Sequence, residues 1–380
     1  MNRPRLFFAV THLFGVGHLR RVLRIAEAAE AAGAETLIAS GGRPVDLPGF
    51  ARDRLVQIPP LHAAGPEARV LLDETGAVAD PACLRLREDR LAAAFRAFAP
   101  DLLVTELFPF GRWKLRGEFL RLLDLAGAAG VPAVASLRDI LEPVRHEDRL
   151  AAQRAIAATR YAALLVHGDP ALTGIDPLFG EGLSGQIHFT GLIAPSSPPE
   201  APRTDDILVV AGGGAGGARL FETALAASRL PEGRRRRWRF RTGAFGAIAD
   251  PGLPHVDMRP AGEDMPGELA RARLCISQAG YNMVAEILAT RTPALLVPQA
   301  EGRQTEQTRR AAALEARGLA AHLPQTALTP RALLAAIGHV PAPARADTLR
   351  LEGAESTAAH LLALARTRSS PRLSLAGGRS

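Results

Sequence analysis

The chain has 380 residues, 47% of them hydrophobic and 22% charged, and a formal net charge of +7. This balance excludes a chain disordered throughout, and 36 glycines and 29 prolines without a period exclude a collagen-like or fibrous one. Two widely separated cysteines, Cys83 and Cys275, exclude a disulfide framework and a zinc knuckle, and fit a reducing, cytoplasmic setting.

The length suggests two domains. Positive charge gathers in two runs, Arg234–Arg237 with Arg239 and Arg241, and Arg366, Arg368, Arg372 and Arg379. The rest of the chain holds more acids than bases, and Lys114 is its single lysine. Charge this local does not require a nucleic-acid partner, and none is expected. No stretch of about 20 uncharged apolar residues occurs, so no membrane-spanning helix is expected. Leu6–Val10 is too short for the apolar stretch of a signal peptide.

In chain order, Leu6–Val10 reads as a buried strand, Leu19–Ala32 as a helix, and Thr36–Ala39 and Leu55–Ile58 as strands. Gly41-Gly42 and Pro59-Pro60 end these two strands. Residues 61–83 read as a loop with a short helix, and Leu84–Phe98 as a helix. Leu102–Thr105, Ala133–Ser136 and Leu164–His167 are short apolar runs separated by helices, and Ile187–Gly191 is a last strand. Apolar runs without alternation indicate strands covered on both faces, hence a parallel sheet. Residues 194–203 hold four prolines in ten and read as a linker. The alternation then restarts with strands Ile207–Ala211, Trp238–Thr242, Leu274–Ser277 and Ala294–Val297. Helices follow from about Ala218, over 280–290, over 304–317 and over 354–367.

The expected division is an amino-terminal Rossmann-like domain over 1–193, a linker over 194–205, a second domain over 206–352, a helix over 353–367 and a disordered tail over 368–380. The fold class is α/β, with two doubly wound parallel sheets facing a cleft. Ligands in such sheets bind outside the carboxyl ends of the strands.

Three segments carry chemistry. Gly15-Val16-Gly17-His18 follows the first strand. Glycines at a strand–helix turn admit a ligand to the backbone, the helix start favours negative charge, and a histidine there can move protons. The same residues also suit a plain turn with a capping histidine. Gly212–Gly217 follows strand Ile207–Ala211 and contains G-x-G-x-x-G. A dinucleotide fold wants an acid at the end of the next strand, but that strand ends Phe240-Arg241-Thr242-Gly243, which disfavours NAD. A diphosphate cradle and a flexible loop remain. The third segment runs Ser277-Gln278-Ala279-Gly280, then a helix carrying Glu286, then Thr292–Pro298 and a loop with Glu301, Arg303, Gln304, Glu306 and Gln307. Glu286 near a helix start suits two ribose hydroxyls, and the loop suits a hydroxyl-rich ligand. An ordinary strand–helix–strand unit with a solvated loop would look similar.

The 277–307 segment resembles the nucleotide-sugar half of GT-B glycosyltransferases of family 28, through Ser-x-x-Gly-x-x-x-x-x-Glu, Pro-Ala-Leu-x-Val-Pro and Glu-Gln. That family's best known member adds N-acetylglucosamine to a lipid-linked peptidoglycan precursor. The two glycine segments fall where the family has its own. Phe108-Pro109-Phe110-Gly111-Arg112, Ser136–Asp139 and Val166–Pro170 look like a branch of predicted glycosyltransferases. The resemblance implies that Glu286 holds the ribose, and that Gly213, Gly214, Ala215, Gly216 and Gly280 approach the diphosphate. It also implies that Glu306 and Gln307 hold the sugar hydroxyls and that backbone at Asp264 and Met265 reads the base. Gly243 and Ser277 join the donor side. His18 faces the acceptor as a base or a diphosphate contact, with Gly15, Gly17, Glu106, Arg138 and Asp139 on the acceptor side. Glu106 and Asp139 are secondary candidates for the base.

The glycine loop lacks the family's serine and glutamine, Arg291-Thr292 replaces the usual glycine before Pro293, and the 300–307 loop is one residue longer. These departures argue against the peptidoglycan acceptor. No Asp-x-Asp occurs, so the implied reaction is metal-independent and inverting, without a cofactor, and moves a hexosyl group from a nucleotide-diphosphate sugar, UDP-linked, to an acceptor. A lipid-linked acceptor would place the protein on the inner face of the plasma membrane. The contact would then run through residues 108–123, which mix aromatic and basic side chains; a half-buried helix with a solvated face is the plainer reading. A UDP-sugar 2-epimerase shares the architecture, and a non-catalytic nucleotide-sugar-binding or scaffold protein is the alternative of another class.

Overall fold

The structure, a computed structural model, describes residues 3–45, 54–64, 70–144, 146–211, 217–243, 249–262, 264–299, 305–342 and 348–369. Gly213, Gly214, Ala215 and Gly216, residues 301–304 and the tail from 370 lie outside them.

The first half is built from β1 (Arg5–Val10), α1 (Gly17–Ala31), β2 (Glu35–Ser40), β3 (Leu55–Gln57), β4 (His62–Ala64), β5 (Val70–Leu72), α2 (Pro81–Phe98), β6 (Leu102–Glu106), α3 (Arg116–Ala128), β7 (Ala133–Arg138), α4 (Glu147–Arg160), β8 (Ala163–His167), α5 (Pro170–Thr173) and β9 (Ile187–Phe189). Seven strands pair in the order β3-β2-β1-β6-β7-β8-β9, all parallel. The second half comprises β10 (Asp206–Val210), α6 (Ala218–Ser228), α7 (Pro231–Arg234), β11 (Arg237–Thr242), β12 (Val256–Pro260), α8 (Met265–Arg271), β13 (Leu274–Ser277), α9 (Tyr281–Thr290), β14 (Ala294–Leu296), α10 (Glu306–Glu315), β15 (Ala321–His322), α11 (Pro330–Ile337) and α12 (Gly353–Ser369). Its six strands are parallel in the order β12-β11-β10-β13-β14-β15. The expected α/β architecture of two parallel sheets is therefore present.

The apolar runs form the central strands because both faces are covered; β6, β8, β10 and β13 are buried along their whole length. In α1, Leu19, Val22, Leu23, Ile25, Ala26 and Ala29 follow helical spacing onto one buried face. The 61–83 segment departs from expectation. It forms the antiparallel pair β4–β5, tied to the loop after β1 by the Ala63 N–H donating to Leu13 O at 3.0 Å. Its three-residue strands are too short to show a period. Asp80 caps α2 and Pro81 opens it, so the helix starts three residues before Leu84. The edge strand β12, with sequence Val-Asp-Met-Arg-Pro, carries no apolar run and went unexpected. Thr329 and Pro330 open α11 by the same cap-plus-proline device, also unexpected.

The carboxyl-terminal helix crosses back. Ala354, Ala358, Leu361, Leu362 and Ala365 of α12 share one apolar cluster with Leu19, Val22 and Leu23 of α1 and with Val284 and Leu288 of α9. Buried His167 pins this return, exchanging hydrogen bonds with Ser136 (2.7 Å), Thr190 (2.9 Å) and Thr357 of α12 (3.3 Å). The linker ends strapped to the second half, where Arg203 donates to the carbonyls of Ala272, Thr290 and Arg291. The two halves are joined most firmly by Arg310 of α10, which donates two hydrogen bonds (2.8 and 2.7 Å) to Asp139 after β7 and a third to Ala279 O (2.7 Å). Both ionic side chains are 0–1% exposed.

Breaking a buried pair leaves a charge without compensation, at a cost of about 3–5 kcal/mol. Arg310→Met should lower stability by that order in chemical denaturation, and adding Asp139→Leu should recover part of the loss. Burial pushes the His167 imidazole down to about 3. Its neutral form is thus favoured by folding, and the contribution is complete above the unfolded value near 6.5 and lost as pH falls towards 3. The melting temperature should fall between pH 7 and 4, less steeply in His167→Gln.

Candidate functional site

The carboxyl ends of β1, β6 and β7 face those of β13 and β14, and the sequence signals meet across this junction. The turn before α1 is held by the other half: Asn282 of α9 donates to Gly17 O at 2.9 Å. A Cβ on Gly17 would meet the Asn282 amide at 3.1 Å, so close approach is what glycine provides there. His18 lies in the first turn of α1 and does not cap it; Val16 is the N-cap and no side chain caps the helix.

His18 Nδ1 is 2.8 Å from Glu106 Oε1 at the end of β6. Glu106 is 1% exposed, and Arg21, one turn after His18, also donates to Oε1. Burial alone would raise the Glu106 carboxyl, but the adjoining His18 and Arg21 hold it below the ordinary carboxylate range. With Glu106 ionised, Nδ1 must be the donor, which leaves Nε2 as a free lone pair on a side chain 20% exposed. Burial is the main reason the His18 imidazole is pushed down to about 3; Glu106 opposes the shift, and Arg112 and Arg21 add to it. The pair can therefore accept a proton at Nε2 while the carboxylate orients the ring. Glu106, expected as a second base or an acceptor contact, has its Oε1 engaged by both His18 and Arg21.

Asp139 does not fit its expected roles. Both its oxygens accept from Arg310 and it is 2% exposed, so it neither acts as a base nor reaches an acceptor. Arg138 crosses the junction to Glu306 at 2.6 Å and also meets Glu142. Glu306 thus enters the site already ion-paired, and Gln307 accepts from Gln299 N–H at 3.0 Å. Glu286 is held by Arg24 of α1 at 2.5 Å, so ribose hydroxyls would share this carboxylate with a guanidinium. Ser277 is fully buried at the end of β13. Gly243 ends the segment after β11 next to undescribed residues, and Gly15 lies in the turn before α1. Asp264 caps α8 through Gly267 N–H and pairs with Arg271, while Met265 is buried in the core. Neither side chain is brought to the junction, although a base-reading role through backbone would not require it.

Gly280 is informative. It precedes α9 with φ −66°, a conformation any residue adopts, and a Cβ there would meet nothing within 4 Å. Neither backbone nor packing requires glycine, whereas a ligand at the uncapped start of α9 would. Arg291 takes φ +52°, the left-handed conformation glycine adopts without cost, so the turn survives the replacement of the family's glycine.

The expected membrane contact over 108–123 needs correction. Phe108, Phe110, Leu115, Phe119, Leu122 and Leu123 are buried in the first-half core, and Trp113 is flanked by Arg116 and Arg149. What faces out is Lys114 and Arg116, a basic rim without an apolar one. Among the described residues, no helix is long and apolar enough to cross a membrane.

Arg21, Arg24, Tyr281, Asn282 and Arg310 were not singled out from sequence. One signal was available: His18, Arg21 and Arg24 stand three residues apart, a basic stripe along the first two turns of the helix.

Residues 207–360 match the glycosyltransferase family 28 C-terminal domain. The UDP-N-acetylglucosamine–N-acetylmuramyl-(pentapeptide) pyrophosphoryl-undecaprenol N-acetylglucosamine transferase of Acidiphilium cryptum is 33% identical over 145 residues, 36% of this chain and 39% of that protein. The chain thus spans about two fifths of that relative. The protein of the same name from Methylorubrum populi is 26% identical over 339 residues, 84% of each chain. The solved structure of Phytolacca americana UGT2 complexed with UDP-2fluoro-glucose and pterostilbene superposes over 97% of this chain and 99% of its own, with TM-score 0.60 and 13% identity.

Gly280→Val should leave the melting temperature within about 1 °C and abolish stabilisation by any nucleotide ligand, as read by thermal shift. A large drop in the unliganded melting temperature would instead give Gly280 a packing role.

Proposed function

We propose, on the premise that this chain has the GT-B fold and carries a glycosyltransferase family 28 C-terminal domain over residues 207–360, that it transfers a hexosyl group from a UDP-sugar to an acceptor hydroxyl with inversion. The observation that carries the reading is the His18–Glu106 pair, seated against the start of α9 by the bond from Asn282 to Gly17. That places a proton acceptor beside the segment most similar to the nucleotide-sugar half of the family.

In this reading the acceptor hydroxyl gives its proton to His18 Nε2 as its oxygen attacks the anomeric carbon. The bond from that carbon to the phosphate oxygen breaks, and the nucleoside diphosphate leaves with the electron pair. Glu106 stabilises the imidazolium that forms, in the manner of the carboxylate in a Ser-His-Asp triad. The uncapped start of α9 at Gly280 offers backbone N–H groups to the developing negative charge on the diphosphate, so the reading requires no metal or cofactor. Glu286 takes the ribose hydroxyls, and Glu306 and Gln307 the sugar. UDP as the carrier is supported by the donor in the relatives' name and by the UDP-2fluoro-glucose on a chain of the same fold.

The relatives' name, which includes pyrophosphoryl-undecaprenol, also supports a lipid-linked acceptor, and a peripheral position on the cytoplasmic side of the membrane belongs to the same proposal. With the apolar side of 108–123 buried, membrane attraction falls to Lys114 and Arg116 and is electrostatic. The division into domains over 1–193 and 206–352, with the linker over 194–205, belongs to the same proposal.

Thermal stabilisation across nucleotides and nucleotide sugars tests the donor site. UDP and one UDP-sugar should raise the melting temperature, and Glu286→Ala should remove the rise. No shift with any nucleotide would sink the donor assignment and favour a scaffold. Glu106→Gln should lower kcat at least about 100-fold with donor affinity little changed, because the ring loses its tautomer and orientation.

A further inference from the structure

We infer that Arg21 is the positioning residue of the His18–Glu106 pair, keeping the imidazole neutral with its Nδ1 proton turned inward, and that Tyr281 on the facing half holds Arg21 in place. The inference rests on the reading of His18 as the base and deepens it.

Arg21 is 2% exposed. Its Nη2 donates to Glu106 Oε1, the same oxygen that His18 Nδ1 engages at 2.8 Å, and lies 3.3 Å from Nδ1 itself. One carboxylate oxygen therefore serves two donors. Its negative charge is already balanced by a guanidinium. An imidazolium would be a second cation on one carboxylate, beside Arg112 from the loop after β6. The remaining groups around Arg21 do not alter this balance. His167 of β8 is buried and neutral, and Tyr281 of α9 is a phenol that burial pushes up. Without Arg21 the buried Glu106 carboxylate would keep only Arg112 as a nearby fixed cation, and its pull on a proton at His18 would grow. An imidazolium has no lone pair at Nε2 and cannot take the acceptor proton.

The placement of Arg21 depends on the other half of the molecule. Its guanidinium lies 5.2 Å from the ring centroid of Tyr281, within range of a cation–π contact. The Tyr281 hydroxyl accepts the Ile193 N–H at 2.9 Å, and Arg310, already bound to Asp139, lies 5.7 Å from the same ring. Tyr281 is the first residue of α9, next to Gly280. The helix assigned to the diphosphate thus also supports the charge that sets the base.

Nitrogen-15 NMR of the imidazoles, with His18 assigned by its loss in His18→Gln, reads this directly and requires no acceptor. In the wild type, His18 should stay neutral from pH 8 to 5 with the proton on Nδ1. In Arg21→Gln, its titration should move up towards the ordinary value of about 6.5, into the range above pH 5, while burial keeps it below that value. The acid limb of UDP-sugar turnover, water serving as acceptor, should follow the NMR titration upward, turnover falling about twofold at the pH where the variant's His18 is half protonated, with donor KM within about twofold. Arg21→Lys should restore both. A neutral, unshifted His18 in Arg21→Gln overturns the inference, as does a wild-type His18 that is charged or protonated at Nε2. The wild-type spectrum can overturn the inference even if Arg21→Gln does not fold. Full turnover in His18→Gln would remove the base reading alone, whereas abolished turnover there with an unshifted Arg21→Gln profile would remove the positioning role alone.

Discussion

The bidentate ion pair between Asp139 and Arg310 is the constraint on which the rest of the site depends. Neither charge reaches solvent, so each is tolerable only while the other is present. One partner ends β7 and the other lies in α10, and satisfying both sets the distance between the two sheets. That distance brings the turn at Gly17 to Asn282, Arg24 to Glu286 and Arg138 to Glu306. Three cross-junction contacts, each modest where partly exposed, gain from being aligned by one that cannot slip. The return of α12 onto α1 adds apolar area to the same arrangement.

Charge at the junction is organised by alternation. Arg21 and Arg24 of α1 take Glu106 and Glu286, and Arg138 takes Glu306. Each of these three carboxylates is matched with an arginine from the first half. This arrangement has a consequence for ligand entry. A nucleotide sugar would bring its own hydroxyls and phosphates to carboxylates and cations that already satisfy one another. Binding would exchange contacts, so that the donor replaces part of the adhesion between halves instead of filling an inert gap.

The sheets were legible in the sequence because burial on both faces erases alternation and leaves bare apolar runs such as Leu102–Thr105 and Leu164–His167. Segments without that burial were not. The β4–β5 hairpin and edge strand β12 mix polar and apolar residues over three to five positions, where no period can show. The site was legible where chemistry is local: the turn before His18, the start of α9 and Glu286. It was opaque where function lies in a contact between distant residues. Glu106 could be read only as an acceptor-side residue or a second base, because its pairing with His18 spans 88 positions. Asp139 looked free until Arg310, 171 positions on, occupied it.

The same distinction explains why the aromatic-and-basic stretch after β6 misleads. Phe108 and Phe119 stack at 4.9 Å inside the core, so a composition that suits a membrane surface instead supports the loop that leads from Glu106 to Arg112. Arg112 takes φ +56° and donates to Thr11 O at 2.6 Å, which anchors the end of β1 to the end of β6. An unfavourable backbone conformation persists only where its surroundings over-determine it. Here the surroundings are the packed aromatics on one side and the His18–Glu106 pair on the other. The apolar residues of this stretch therefore support the His18–Glu106 pair from beneath.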